Sequence, residues 1–331
     1  MKSFEYASAA TAAEAISLLG ADGADGGVRP LAGGTDLLTL IKLDVAAPSR
    51  LVDVKRVAEL PKGIEDGPDG LTLGALATLA QVESSGPVNE RYVALAQAAG
   101  LAATPQLRNM ATVGGNLLQR PRCWYFRSPH FACWLKGGAE CPARDGENQL
   151  HAIFEQSPCV AVHPSDLPTT LLALDAEVRV KGSGGERTIS VGEFFAAPTE
   201  DRRTENLLGP GELVLSVRVP APSAGTRSTY LKAMDRKVWA FALVGVAAVA
   251  RMDGGRIAEA RVALTGVANV PWRARAAERL LSGSEPSADL FARAADAALA
   301  DAAPLAQNGY KLPLARGLVA RALATVTGGE F

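Results

Sequence analysis

Val28-Arg29-Pro30-Leu31-Ala32-Gly33-Gly34-Thr35-Asp36-Leu37-Leu38-Thr39-Leu40-Ile41 joins a short apolar strand to an apolar helix through two adjacent glycines. The pattern predicts a strand over 28–32 and a helix over 35–43, with the turn between them. Consecutive glycines tolerate positive φ and leave backbone N–H groups free to face an anion at the start of the helix. A phosphate cradle is the functional reading. A plain turn with Thr35 as N-cap accounts for the same residues.

Working outward, Ala12–Leu19 has helical spacing and Leu51–Val54 reads as a second strand. Leu71–Gly74 follows as a strand, Ala77–Glu83 as a helix capped by Thr78, and Arg91–Gly100 as another helix. The order is α/β. Further on, Leu167–Leu174 is a predicted helix, with strands over Glu177–Lys181 and Glu212–Val219. Pro220–Ser228 has the composition of a domain boundary. Ala240–Arg251 and Arg256–Thr265 form a predicted hairpin around Asp253-Gly254-Gly255, and helices are expected over Arg273–Leu281, Ala288–Ala302 and Leu314–Leu323.

A second glycine pair, Thr112-Val113-Gly114-Gly115-Asn116, repeats the logic of the first and could offer amide and side-chain donors to a diphosphate. No G-x-G-x-x-G and no G-x-x-x-x-G-K-[ST] occurs, so neither a Rossmann fingerprint nor a P-loop is present. The 331 residues are 48% hydrophobic with a net charge of -1 and no basic run, which gives no electrostatic case for nucleic acid or an anionic membrane. The best apolar run, Phe241–Ala250, is too short to span a bilayer, and the first residues lack a signal layout. A cytosolic start is expected.

All four cysteines, Cys123, Cys133, Cys141 and Cys159, fall within a window of 37 residues. Their gaps of nine, seven and seventeen residues lack a close C-x2-C pair. Disulfides, a zinc site, an iron–sulfur cluster and unrelated thiols all remain open on spacing, though a cytosolic setting disfavours disulfides. Trp124, Tyr125, Phe126, Phe131 and Trp134 crowd the first two cysteines, as a hydrophobic shell or as ordinary packing. His130 and His151 share the window without being needed as ligands, and His163 reads as a loop residue near the next motif.

Three segments in order, Leu31-Ala32-Gly33-Gly34-Thr35-Asp36-Leu37, Leu107-Arg108-Asn109-Met110-Ala111-Thr112-Val113-Gly114-Gly115-Asn116 and Ser165-Asp166-Leu167, resemble the FAD-binding subunit of the xanthine dehydrogenase family of molybdenum hydroxylases. Gly211-Glu212-Leu213, Tyr230-Leu231-Lys232, Ala260–Leu264, Pro271-Trp272-Arg273 and Asn308-Gly309-Tyr310-Lys311 extend the likeness nearly end to end. The resemblance implies an α+β fold. A two-part α/β FAD-binding domain of the PCMH type would occupy 1–55 and 56–222, with a cysteine insertion at 119–163 and a C-terminal domain of antiparallel sheet and helices at 226–331.

Carried over by position, Leu31, Ala32, Gly33, Gly34, Thr35, Asp36 and Leu37, with Thr112, Gly114, Gly115 and Asn116, would hold the FAD diphosphate. Asp166, with Ser165, would contact the ribityl or adenosine part, and Lys232 would approach the isoalloxazine. Val214 completes the implied set, and Arg108 and Asn109 would brace the second loop or bind phosphate. Capping of the following helix is the plain alternative for Asp166, and a solvated strand position for Lys232. No catalytic acid, base or nucleophile is implied.

Most of the family has the Gly-Gly-Asn and Ser-Asp-Leu motifs almost adjacent; here 48 residues separate them. An insertion with four cysteines resembles the subgroup with an extra [4Fe-4S] cluster, the aldehyde oxidoreductases of the periplasmic bacterial type and the flavin subunit of 4-hydroxybenzoyl-CoA reductase. Arg122-Cys123-Trp124-Tyr125-Phe126 and the residues around Cys141 are nearer the aldehyde oxidoreductase branch. The implied partners are a molybdopterin-binding large subunit, a small subunit with two [2Fe-2S] clusters and an external electron acceptor. Location would be cytoplasmic, or periplasmic by co-export on a partner's twin-arginine signal.

Overall fold

The computed structural model describes residues 2–20 and 27–329. Its first layer is β1 (Glu5–Ser8), α1 (Ala12–Gly20), β2 (Val28–Leu31), α2 (Leu37–Lys42) and β3 (Arg50–Asp53). The three strands pair in parallel in the order β1-β3-β2. Parallel pairing requires crossovers, and the helices supply them. β1 has no apolar alternation, with both Glu5 and Tyr6 exposed, so pattern alone gave no sign of it.

β4 (Ile64–Gly67) and β5 (Gly70–Gly74) form a hairpin, followed by the short helices α3 (Leu79–Ser84), α4 (Gly86–Arg91), α5 (Val93–Gly100), α6 (Pro105–Arg108) and α7 (Val113–Leu117). Thr78 caps α3 as expected, in a reciprocal capping box with Gln81. The single helix expected over 91–100 is broken at Tyr92 (φ -130°, ψ 51°), which leaves helical geometry while its ring is fully buried. In the cysteine segment, α8 (Trp124–Arg127) and a 3-10 turn at Trp134–Lys136 are the only helical pieces among the described residues.

After it come α9 (Leu167–Ala173), β6 (Glu177–Gly182), β7 (Gly185–Ser190), α10 (Val191–Phe194) and β8 (Leu213–Pro220). The second sheet runs β4-β5-β8-β6-β7, antiparallel throughout, so its two halves meet across the cysteine segment and the short helices. β9 (Thr226–Ala233), β10 (Val244–Asp253), β11 (Arg256–Thr265) and β12 (Trp272–Arg273) make a third, antiparallel sheet. Helices α11 (Arg275–Leu281), α12 (Ala288–Ala298) and α13 (Lys311–Thr327) complete the chain. The expected hairpin is present, turning at Gly254 and Gly255 with φ of 54° and 80°. Its first strand starts at Val244 rather than Ala240, where pairing with Ala233 of β9 begins.

β10 explains the apolar run noted in the sequence. Successive side chains on a strand point to opposite faces. Val244, Val246, Ala248 and Ala250 face one core with α11, α12 and α13, whereas Ala247 and Val249 face the other with α5 and α9. Burying each valine contributes roughly 1.5–3 kcal/mol, so the third sheet is held between two layers. β9 lies beside it and packs on α5, whose Gln97 accepts from the Thr229 hydroxyl and the Tyr230 amide. Among the described residues no helix is long and apolar enough to cross a membrane.

Candidate functional site

The two glycine segments meet. A Cβ on Gly33 would stand 1.9 Å from the carbonyl oxygen and 2.8 Å from the carbonyl carbon of Met110, so only glycine allows this approach. Gly34 takes φ of 72° to turn the chain into α2. Among the described residues the N–H groups of Gly33, Gly34, Thr35, Asp36 and Leu37 find no acceptor. The Thr35 cap is not realised: Asp36 occupies the N-cap position, and neither side chain closes the helix. These amides at a helix start suit an anion.

The second segment differs from its expected form. The amides of Val113 and Gly114 donate to the carbonyls of Ala77 and Ala75 at 2.8 and 2.9 Å. Thr112 caps α7 by accepting from the Gly115 amide at 3.2 Å, and the Asn116 amide donates to the Thr112 carbonyl at 2.8 Å. No backbone donor of Val113–Asn116 is therefore left over. What it presents instead is the open face of Gly115, which is exposed where Gly114 is buried, and the Asn116 amide, whose oxygen accepts from the Ser165 hydroxyl.

Asp166 and Lys232 form a buried ion pair. Lys232 Nζ donates to Asp166 Oδ2 at 2.8 Å, with side chains only 1% and 4% exposed. Lys232 also donates to the Leu101 carbonyl at 3.1 Å, and the Tyr230 hydroxyl donates to Asp166 Oδ1 at 2.6 Å. Burial, and then the Asp166 carboxylate, push the Tyr230 phenol well above its ordinary pKa. Both plain readings fail here: Asp166 makes no side-chain cap on α9, and Lys232 is not solvated. His163 is buried as well, accepting from the Ser165 amide at 3.3 Å and packing edge-on against Phe195. His163 does sit in irregular chain ahead of α9, as expected, and burial brings its pKa down to about 4, so it is neutral.

Several carried-over residues have other work. Arg108 donates to both Glu83 carboxylate oxygens at 2.7 and 3.0 Å and to the Ala102 carbonyl at 3.1 Å, so it braces α6 against α3. Asn109 is exposed beside it. Val214 lies in the core of β8 opposite Val180. Asp36 accepts from Arg122, from Arg127 Nη2 at 2.7 Å and from the Arg120 amide at 2.9 Å. Its carboxylate ties the first glycine turn to the cysteine segment.

That segment is also fastened to the third sheet and α13. Asn269 Nδ2 donates to the carbonyls of Cys159 and Ala161 at 2.9 and 2.7 Å. Lys311, wholly buried, donates to the carbonyls of Leu150, His151 and Gly266 at 3.0, 2.9 and 2.6 Å.

The four cysteines are free thiols, so the disulfide alternative is not realised. They pack around one small core with Phe126, Trp134 and Leu135. Backbone N–H groups face every sulfur: those of Tyr125 and Phe126 at Cys123, Leu135 and Lys136 at Cys133, Ala143 and Val160 at Cys141, and Ala161 at Cys159. Burial pushes Cys123 up to about 12 and also raises Cys133. Cys141 and Cys159 are hydrogen-bonded, which lowers Cys141 to about 6 and raises Cys159. Among the described residues no three His, Cys, Asp or Glu side chains converge on a point where a single metal ion could sit. His151 places Nε2 3.1 Å from Cys123 Sγ.

Contacts thus run unbroken from Gly33 to Met110, through Thr112–Asn116 to Ser165, Asp166 and Lys232. Tyr230 and the Asp36 arginines were missed in the sequence, although Tyr230 and Lys232, two apart on a strand, were bound to share a face.

A mixed α+β fold of this kind, with a C-terminal domain of antiparallel sheet and helices, is that of the flavoprotein subunits of oxidoreductases. The chain belongs to the family of FAD-binding subunits of the molybdenum hydroxylases: residues 2–222 match the FAD binding domain in molybdopterin dehydrogenase, and residues 229–326 match the CO dehydrogenase flavoprotein C-terminal domain. It is 38% identical over 98% of its length to the aldehyde oxidoreductase FAD-binding subunit PaoB of Escherichia coli strain K12, covering 98% of that protein. It is 31% identical to the carbon monoxide dehydrogenase medium chain of Hydrogenophaga pseudoflava, covering 97% of this chain and 96% of that one. The solved structure of carbon monoxide dehydrogenase from that organism superposes with a TM-score of 0.79 over 99% of this chain and 98% of its counterpart.

Proposed function

We propose that this chain carries electrons through FAD within a heterotrimeric molybdenum hydroxylase that oxidises aldehydes. The observation that bears most weight is the continuous line of contacts from the Gly33 turn to the Asp166–Lys232 pair, which brings the family's motif segments together. The similarity to an aldehyde oxidoreductase subunit supports the substrate class.

The five free amides of Gly33–Leu37 would bind the diphosphate, with Gly115 giving close backbone approach and the Asn116 side chain adding a donor. Asn116 is held in place by Ser165. The buried Asp166–Lys232 pair fixes the β9 edge beside Leu101, so the far part of the cofactor would meet a rigid wall. FAD, when bound, can accept electrons singly and release them singly or in pairs, and the protein supplies orientation and electrostatics. A molybdopterin-binding large subunit would oxidise the substrate, a [2Fe-2S] small subunit would deliver the electrons, and an external acceptor would remove them.

The four thiols would hold a [4Fe-4S] cluster. A single ion needs its ligands about 2.3 Å from one point, whereas a cubane gives each thiolate its own iron and a wider spread of sulfurs. Amides aimed at all four sulfurs, inside an apolar shell, suit buried thiolates. Because the segment clasps both the first glycine turn and α13, the cluster would serve mainly to hold these parts together.

Visible absorption of the purified protein tests both cofactors. A flavin spectrum with a broad iron–sulfur shoulder is expected, and Cys141→Ser should remove the shoulder and lower the iron content. Flavin without the shoulder eliminates the cluster; neither feature eliminates the whole reading.

A further inference from the structure

His151 lies 28 residues beyond Cys123, with Nε2 3.1 Å from its sulfur. The residue is anchored through its main chain. Its backbone N–H donates to the Asn148 carbonyl at 3.0 Å, and its carbonyl accepts from Lys311 Nζ at 2.9 Å and Asn308 Nδ2 at 3.2 Å. The Trp124 ring packs edge-on at 5.2 Å between centroids. The residue is 2% exposed, and Nδ1 has no partner.

The sulfur settles the tautomer. A ligating thiolate offers only lone pairs, so the nitrogen facing it carries the hydrogen. The other tautomer would set a nitrogen lone pair against the sulfur and bury an unpaired N–H at Nδ1, which is the costlier arrangement. We propose that His151 is a positioning residue for the four-thiolate centre, donating Nε2–H to Cys123 Sγ and so raising the reduction potential of the iron–sulfur cluster. This rests on the cluster reading given above.

A donor at sulfur withdraws electron density from the ligand and favours the more negative, reduced state. Amides of Tyr125 and Phe126 reach the same sulfur, but a side-chain change cannot remove them. His151 is the adjustable donor. Lys311 and Asn308, at the start of α13 and just before it, fix the height of the imidazole over the sulfur. The C-terminal helix therefore takes part in tuning a centre to which it gives no ligand.

The test is a potentiometric titration of the assembled enzyme, with cluster reduction read by electron paramagnetic resonance and iron measured in parallel. In His151→Leu the iron content should persist while the midpoint falls by roughly a tenfold change in the reduction equilibrium, about 59 mV for one electron. His151→Gln, which keeps an N–H near the same place, should restore most of the shift. An unchanged midpoint in an iron-replete Leu variant overturns the proposal, as does a Gln variant shifted as far as Leu. If the Leu variant loses iron, the Gln variant decides: a wild-type midpoint supports the hydrogen bond, and a displaced one refutes it. A wild-type protein without cluster iron sinks the cluster reading itself, a result distinct from any failure of His151.

Discussion

Replacing Asp166 by Asn removes one charge from a buried pair while keeping the side chain's shape. Lys232 Nζ then loses its 2.8 Å carboxylate partner, and the single remaining carbonyl oxygen of Asn must serve both Lys232 and the Tyr230 hydroxyl. Removing one partner from an ion pair this deeply buried costs about 3–5 kcal/mol, because the other charge stays in a medium that solvates it poorly. At roughly 2 °C per kcal/mol for a chain of this size, the melting temperature should drop by about 6–10 °C. Lys232→Met should cost a similar amount by exposing the mirror-image problem. The double variant Asp166→Asn/Lys232→Met should be less destabilised than the sum of the two by at least about 2 kcal/mol, since neither charge is then stranded. Thermal unfolding by circular dichroism gives the three values, and flavin content is measured on the same samples. Additive costs, or an Asp166→Asn penalty below about 1 kcal/mol, would refute the argument from burial. A double variant that recovers stability but still lacks flavin would separate the pair's role in folding from contact with the cofactor.

Gly33→Ala should lose flavin and destabilise the protein by about 3 kcal/mol or more, because its Cβ meets the Met110 backbone, which cannot swing aside; flavin retention with an unchanged melting temperature would show that the glycine turn is not tightly apposed. His163 gives a pH dependence whose sign is fixed. Its folded pKa of about 4 lies below the ordinary histidine value, so the unfolded chain binds more protons between roughly pH 6.5 and 4. Its contribution is complete above pH 6.5 and is lost as pH falls through that window, by about 3 kcal/mol; His163→Gln should flatten denaturant-derived stability over the same range, and an equal slope in both proteins would contradict it. Lys311→Met strands the three carbonyls that its ammonium serves and should cost about 3 kcal/mol, with faster hydrogen exchange at 150–152 as the local sign. Exchange unchanged at those amides would mean that the cysteine segment is held by other contacts.

The parts legible in the sequence were those governed by local chemistry. The Gly33-Gly34 turn, the Thr78 cap and the Gly254-Gly255 hairpin were predicted because each depends on residues a few positions apart. β1 was not, since its exposed Glu5 and Tyr6 give no alternation and its pairing with β3 is fixed some 45 residues away. The region over Pro220–Ser228 read as a boundary because of its prolines, yet β9 begins inside it at Thr226, where pairing with β10 overrides composition.

Sequence alone brought the candidates forward: the paired glycines and four cysteines in one window stand out by type and spacing, and Asp166 and Lys232 by resemblance to the family's motifs. Only the tertiary structure decided what each one does. Amide donors that look equivalent in the two glycine segments are free in the first and taken up by the Ala75 and Ala77 carbonyls and by Thr112 in the second. Asp36 faces arginines of the cysteine segment rather than open solvent, and Asp166 finds Lys232 across 66 positions instead of capping its own helix. The physical reason is common to all of these. Spacing along a chain constrains which groups are present, but hydrogen bonds and ion pairs are settled by the nearest partner in space, and in a buried site that partner comes from another layer of the fold.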